Sequence, residues 1–294
     1  MYFEIGQNNQ SPKEIKSVTI FDIEGEYSTS YHRIRGPFSY LNVEIFDGFE
    51  NGNIYEEAIR KGDLVIIQPE FPKELVLYEE VKDLAKEYCK PIVFVLDNLF
   101  FDSPEILEIK KEETTKSKLP ILQCLMESDW VIVPTQNLKE KIKFLNKNIV
   151  VIPDFLDEKI WPLIPPKRKI DNTKLVHLGF LGKETDQENL EFILPVLEKI
   201  ILKHPHLKIS FLGTKPPGEL GKNSQVNWVS VIPEKYEELP FFLRNQDVDI
   251  FIAPLANNDY NQCEFPLLYL EISSLGVPGV YSKLDSFNII QNGI

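Results

Sequence analysis

The chain has 294 residues, with 32 Lys+Arg against 45 Asp+Glu and a formal net charge of −13. With 43% hydrophobic and 11% aromatic residues, it carries ample material for a core, which excludes a disordered chain. Three widely spaced Cys (89, 124 and 263) exclude a small disulfide scaffold, and the acidic balance argues against broad binding to nucleic acid or anionic lipid.

The N-terminus, MYFEIGQNNQSPKEIKS, lacks the basic start and apolar centre of a secretory signal. No stretch approaches the roughly 20 apolar residues needed to span a bilayer. With no C-x-x-C pair as well, a cytoplasmic location is the expectation.

Short apolar, β-branched runs recur from the first strand onward. In chain order they are Val18–Phe21, Leu64–Ile67, Ile92–Leu96, Trp130–Val133, Ile149–Ile152, Leu175–Phe180, Leu207–Leu212, Val226–Val231, Val248–Ala253 and Val277–Tyr281. Their character is continuous rather than alternating, as in strands covered on both faces of a parallel sheet. Helical patterns lie between them, at Glu74–Tyr88, Leu119–Ser128, Asn137–Leu145 and Asn189–Lys203. The last has Thr185 and Glu188 spaced as a capping box, and Pro195 predicts a kink or a late start. This βα alternation predicts α/β domains with parallel sheets.

The segment Asp154–Thr173 holds Pro162, Pro165 and Pro166 and lacks strand or helix periodicity. It reads as a linker at 156–173 between an N-terminal domain, 1–155, and a C-terminal domain, 174–294. Two such units facing each other would leave a cleft at the C-terminal ends of their strands, where open α/β sheets bind ligands.

The segment 248–282 is the most informative. A strand ends in Pro254-Leu255, a polar loop runs over Ala256–Cys263, and one helix is expected from about Glu264 to Leu275. Pro266 would sit in its first turn and Gly276 just past its end. This helix is apolar nearly all round, so it should be buried, yet it carries Glu271. A buried carboxylate needs partners or an opening to a cleft. A pair of sugar hydroxyls suits it, and the start of the same helix suits a phosphate. An ion-paired core Glu is an equally open reading of these residues.

Glu271 followed by Ile272-Ser273-Ser274-Leu275-Gly276-Val277-Pro278, with Asn261-Gln262-Cys263 before it, resembles the donor-binding region of retaining glycosyltransferases of the GT-B fold, in the large family 4 group. Leu175–Asn189 resembles the strand and loop that open that family's C-terminal domain. Val18–Leu41, with Gly25 in its loop, resembles the family's first strand, loop and helix. Asp97-Asn98 and the run 150–154 resemble later parts of its N-terminal domain. Two departures stand out. Cys263 occupies the position of the family's first Glu, eight residues before Glu271. Glu264 and Leu268 stand where a subgroup carries cations.

The resemblance implies two facing Rossmann-like domains and transfer of a sugar from a nucleotide-sugar donor, with retention. The donor is a substrate; no cofactor and no metal are implied. The acceptor would be a glycan, a lipid-linked molecule or a protein. By resemblance, Glu271 would hold the ribose. Gly182, Lys183, Cys263, Glu264 and Phe265 would face the diphosphate, with Leu255 and Asn261 lining the donor site. Asp97 and Arg33 would lie toward the acceptor, with Arg33 also able to meet donor phosphate. Asp97 and Lys183 are the candidate catalytic residues. The departures favour an alternative, a non-catalytic nucleotide-sugar or glycan-binding module on the same fold. A nucleotide-sugar epimerase would need a catalytic acid–base set, and none is identified. The chain also stops at 294, soon after the strand Val277–Tyr281, where the family usually continues. A trimmed chain or an incomplete C-terminal domain is therefore expected.

No G-x-S-x-G, P-loop, H-E-x-x-H or G-x-G-x-x-G pattern occurs. The scattered Cys and His do not have zinc-ligand spacing.

Overall fold

A computed structural model describes residues 14–22, 30–69, 71, 75–100, 111–166, 175–182, 187–285 and 287, the side chains of 111–117 and 187 excepted. Gly25, Lys183, Thr185 and the last seven residues lie outside these. The described residues divide into two compact units, one ending at Pro153 and the other beginning at Asp154.

The first unit is built on a six-stranded parallel sheet. Its strands are β1 (Ser17–Phe21), β2 (Glu44–Asp47), β5 (Leu64–Ile67), β6 (Ile92–Val95), β7 (Trp130–Val133) and β8 (Ile149–Val151), in the order β2-β1-β5-β6-β7-β8. Strands β3 (Phe49–Glu50) and β4 (Asn53–Ile54) form a small antiparallel hairpin. Asn51 and Gly52, both at positive φ, turn that hairpin. Every residue of β1, β5 and β6 is buried, so their apolar runs are continuous because both faces are covered. Val18, Ile20, Leu64, Ile66, Val93 and Val95 form one cluster with Ile34. Helices Leu75–Glu87, Lys111–Glu127 and Gln136–Ile142 alternate with the strands. Thr135 caps the last of these, accepting from the Leu138 N–H at 3.2 Å.

The second unit has a five-stranded parallel sheet, β11-β10-β9-β12-β13. Its strands are β9 (Val176–Gly182), β10 (Leu207–Gly213), β11 (Val226–Val229), β12 (Ile250–Ala253) and β13 (Gly279–Tyr281). Alternation along β9 and β10 puts Leu178, Phe180, Ile209 and Phe211 on one face. Leu190, Leu197 and Ile201 of the helix Gln187–Lys203 pack against them. That helix runs through Pro195 without a break. Pro195 is on the exposed side, where water can take up the carbonyl that its missing N–H would have met, so the expected kink or late start is absent.

Three further expectations are corrected. The helix expected from Glu264 to Leu275 is two helices, Asp259–Cys263 and Leu267–Ser274. Asn258 caps the first by accepting from the Asn261 N–H at 2.8 Å, which starts helix five residues earlier than read. Glu264 is extended at φ −65°, ψ 146°, so the chain straightens before Pro266, the N-cap of the second helix. The last strand begins at Gly279, not Val277, because the Val277 N–H is taken by the Ile272 carbonyl at 3.3 Å. The stretch 156–166, read as linker, is packed into the second unit. Trp161 is 1% exposed, and the Ile164 N–H bonds the Ser274 carbonyl at 2.7 Å.

The opposite face of β9 and β10 carries a buried polar pair. His177 Nε2 meets Ser210 Oγ at 2.8 Å, and Nδ1 meets the Asp247 carbonyl at 3.2 Å. The carbonyl can only accept, so Nδ1 carries the proton and Nε2 accepts from Ser210. Burial lowers the His177 pKa, with Lys208 acting in the same direction. The folded state therefore binds this proton less readily than the unfolded state. Stability from this site should be complete above the ordinary His range and fall as pH drops below about 6.5. In urea titrations from pH 7 to 5, His177→Asn should flatten that slope.

A second prediction concerns Gly213. It has φ +84°, and a Cβ built there would lie 2.5 Å from the Gly182 carbonyl oxygen. Gly213→Ala should cost about 1–3 kcal/mol in a thermal melt, through both the backbone conformation and the clash.

Candidate functional site

Both sheets have a switch point, where chain order reverses across neighbouring strands. Crevices for ligands open there, at the carboxyl ends. In the first unit the switch lies between β1 and β5, and in the second between β9 and β12.

At the first switch, β1 leads into Asp22, 7% exposed. Its carboxylate accepts from the Ser30 hydroxyl and from Arg35 Nη2 at 3.1 Å. The same Nη2 donates to Asp47, at the end of β2, at 2.6 Å. Arg35 belongs to a π-helical turn, Tyr31–Arg35. It therefore ties the carboxyl ends of two strands to the turn that follows β1. Gln68, just past β5, is 1% exposed, and its backbone N–H bonds the Phe21 carbonyl at 3.1 Å. Arg33, on the same turn, is half-buried, and so is Asp97, two residues past the end of β6. Asp97 thus stands at the carboxyl edge of the sheet, one strand from the switch. Asp22, Asp47 and Gln68 were not singled out from sequence. The only signal there was a polar residue after an apolar run, at Asp22 and Gln68; Asp47 had none.

At the second switch, β9 ends in Gly182, and β12 runs into Pro254 and Leu255. The Leu255 N–H is held by the Ser282 hydroxyl at 2.8 Å. The following loop is pinned by two buried amides. Asn189 Oδ1 accepts from the Ala256 N–H and from Asn261 Nδ2, both at 2.8 Å, and Asn261 Nδ2 also donates to the Ala256 carbonyl at 2.8 Å. Both Nδ2 hydrogens of Asn261 are thereby used inside the protein. Cys263 is fully buried at the end of its short helix, while Glu264 and Phe265 are half-buried in the extended link.

Glu271 lies in the helix Leu267–Ser274 and is 6% exposed. Tyr236 Oη donates to Glu271 Oε1 at 3.0 Å; Oε2 accepts no hydrogen bond among the described residues. Burial raises the carboxyl pKa to about 7, and the Tyr236 hydrogen bond acts against that rise. Trp161 packs against Tyr236, with ring centroids 5.7 Å apart. The structure thus brings Gly182 and Leu255 to one switch point, places Glu271 two elements later, and adds Tyr236, which the sequence reading missed. Tyr236 lies among Glu234, Glu237 and Glu238 in sequence, yet it is 5% exposed.

Among the described residues no group of three His, Cys, Asp or Glu is placed to hold a metal ion. No described helix is long and apolar enough to cross a membrane.

No protein-family model matches the chain, and no curated protein matches it in sequence. Solved structures do match. Sucrose-phosphate synthase from Thermosynechococcus elongatus aligns over 93% of this chain and 83% of its own, with 11% identity and a TM-score of 0.61. TarM aligns over 75% of this chain and 41% of its own, with 12% identity and a TM-score of 0.51. The UDP-GlcNAc 2-epimerase from Methanocaldococcus jannaschii aligns over 94% of this chain and 86% of its own, with 12% identity and a TM-score of 0.42. With its two Rossmann-like units of parallel sheet, the chain has the GT-B fold of glycosyltransferases.

Proposed function

We propose that the protein is a glycosyltransferase that moves a sugar from a nucleoside-diphosphate sugar to a hydroxyl of a glycan, lipid-linked or protein acceptor, with retention and without a metal. The observation that carries this reading is Glu271. A carboxylate is placed in a mostly apolar helix, is nearly buried, and keeps one oxygen unbonded among the described residues. Such a group is costly unless it meets a ligand. Ribose hydroxyls are donors of the right kind. Gly182 and the extended link Glu264–Phe265 would run beside the diphosphate, and Lys183 would supply positive charge by its place in sequence. Leu255 would line the donor pocket. Asn261 and Cys263 would act indirectly, by holding the loop that shapes it. Asp97 and Arg33 belong to the acceptor side.

In the reaction the bond between the anomeric carbon and the phosphate oxygen breaks, and the acceptor oxygen bonds that carbon. The acceptor proton goes to the departing diphosphate. The protein's part is to position both substrates and to offset the charge growing on the leaving group.

One observation favours a second reading, a binding module without turnover. Cys263 stands where the resembling family has its first Glu, and it is fully buried. Assaying transfer and hydrolysis with the donor that binds separates the two, since the module binds without releasing nucleoside diphosphate.

A thermal-shift screen of UDP, GDP and TDP sugars should find one that raises the melting temperature, worth about 2.7 kcal/mol at a hundred times its Kd. Glu271→Ala should weaken that ligand at least about tenfold in calorimetry, the scale of a lost charge-assisted hydrogen bond. Unchanged affinity would remove the donor assignment.

Glu271 also sets a pH prediction. Its pKa is raised from 4.5 to about 7 on folding, so between those values the folded state holds a proton that the unfolded state has released. Stability from this site therefore falls as pH rises through that window and is lowest above it. Glu271→Gln should stabilise the ligand-free protein more at pH 8 than at pH 5, by on the order of 2–3 kcal/mol.

A further inference from the structure

Tyr236 has no role in the donor site as read from sequence, and its placement is specific. It lies 35 residues before Glu271 and donates its hydroxyl to Oε1 at 3.0 Å. It is 5% exposed. Its own pKa is raised, first by burial and then by the charge of Glu271, so it stays a donor at any working pH. Trp161, 1% exposed, packs against its ring. The segment carrying Trp161 is fixed at both ends. The Trp161 N–H bonds the Asp157 carbonyl at 2.8 Å, and the Ile164 N–H bonds Ser274 in the helix that carries Glu271. Gly276, at φ +68°, lets the chain pass there, since a Cβ would lie 2.5 Å from the Ile164 oxygen. Trp161, Tyr236 and Glu271 therefore form a continuous chain of contacts closed by the backbone, the two rings meeting at a tilt of 49°.

We propose that Tyr236, backed by Trp161, is a positioning residue that holds the Glu271 carboxylate by Oε1 and so presents Oε2 to the ribose hydroxyls of the nucleotide. This rests on the reading of Glu271 as the ribose-binding group. The physical reason is orientation. A Glu side chain has several rotamers and loses affinity by sampling the wrong ones, whereas a carboxylate fixed by one oxygen is organised before the ligand arrives. The hydrogen bond also favours the ionised form, which accepts from two hydroxyls. Among the described residues, the charges that act on Tyr236 include Glu271 and Asp154.

The test uses the full chain and two ligands. One is whichever of UDP, GDP and ADP gives the largest melting shift; the other is its 2′,3′-dideoxy form, which cannot bond Glu271 through its sugar. Calorimetry from pH 6 to 8.5 compares wild type with Tyr236→Phe. The ordinary nucleotide should bind roughly five- to tenfold more weakly to the variant at pH 7, and the midpoint of its pH dependence should move upward. The dideoxy form should bind both proteins alike. Equal weakening of both ligands, or of neither, overturns the proposal, because a merely structural Tyr236 cannot distinguish them. Where Tyr236→Phe fails to give a cooperative melt, Trp161→Phe carries the same test, with selective weakening expected and equal or absent weakening contrary. Glu271→Ala is the separate control. If it leaves the preference for the ordinary nucleotide intact, the ribose reading itself is wrong, whatever Tyr236 does.

Discussion

Burying the Glu271 carboxylate carries a large desolvation cost, and Tyr236, backed by Trp161, is set against it. The helix that carries it is apolar apart from Ser273, Ser274 and the Tyr269 hydroxyl. Its single described partner, Tyr236, comes from a different element, and Trp161 from a third. The backbone bond from Ile164 to Ser274 locks the Trp161 segment to the helix itself. An apolar residue in place of Glu271 would pack there without any of this. A carboxylate kept where it weakens the fold at neutral pH is physically intelligible when a ligand compensates it.

The sheets explain where that ligand is read to lie. Each unit reverses its strand order once; Asp22 and Gln68, just past β1 and β5, lie at the first reversal with Asp97 one strand away, and at the second β9 ends in Gly182 and β12 runs into Pro254. In the first unit, Arg35 joins Asp22 and Asp47 across two strands. In the second, Asn189 and Asn261 fix the loop after β12. These bonds hold loop shape. They leave Gly182, Leu255 and the link 264–265 as the surfaces a donor would meet.

Much of the fold was legible in the sequence. Strands β1, β5 and β6 announce themselves as apolar runs because neighbours cover both faces. The edge strand β2, Glu44-Ile45-Phe46-Asp47, did not, since its ends are charged and none of its residues is buried. The Asn51-Gly52 hairpin was missed because its strands are two residues long. The break at Glu264–Pro266 was misread because Pro266 fits a first helical turn as well as it fits a cap. Only the earlier helix capped by Asn258 makes the chain extend there.

The site was legible in part. Glu271 stood out because a carboxylate interrupts an apolar helix, which is a local signal. Tyr236 did not, because its neighbours Glu237 and Glu238 read as solvated surface and only the three-dimensional path brings it to Glu271. The family resemblance supplied roles that residue patterns alone could not, and it also drew attention to Cys263, which proves to be a core residue.

The central claim is that a nucleotide binds through its ribose at Glu271. The most direct measurement is a crystal structure of the chain soaked with the nucleoside-diphosphate sugar that binds best. The account expects a ribose hydroxyl within about 3.2 Å of Glu271 Oε2, Tyr236 still on Oε1, and the diphosphate beside Gly182. A nucleotide bound elsewhere, with the Glu271 carboxylate touching no ligand, would contradict it.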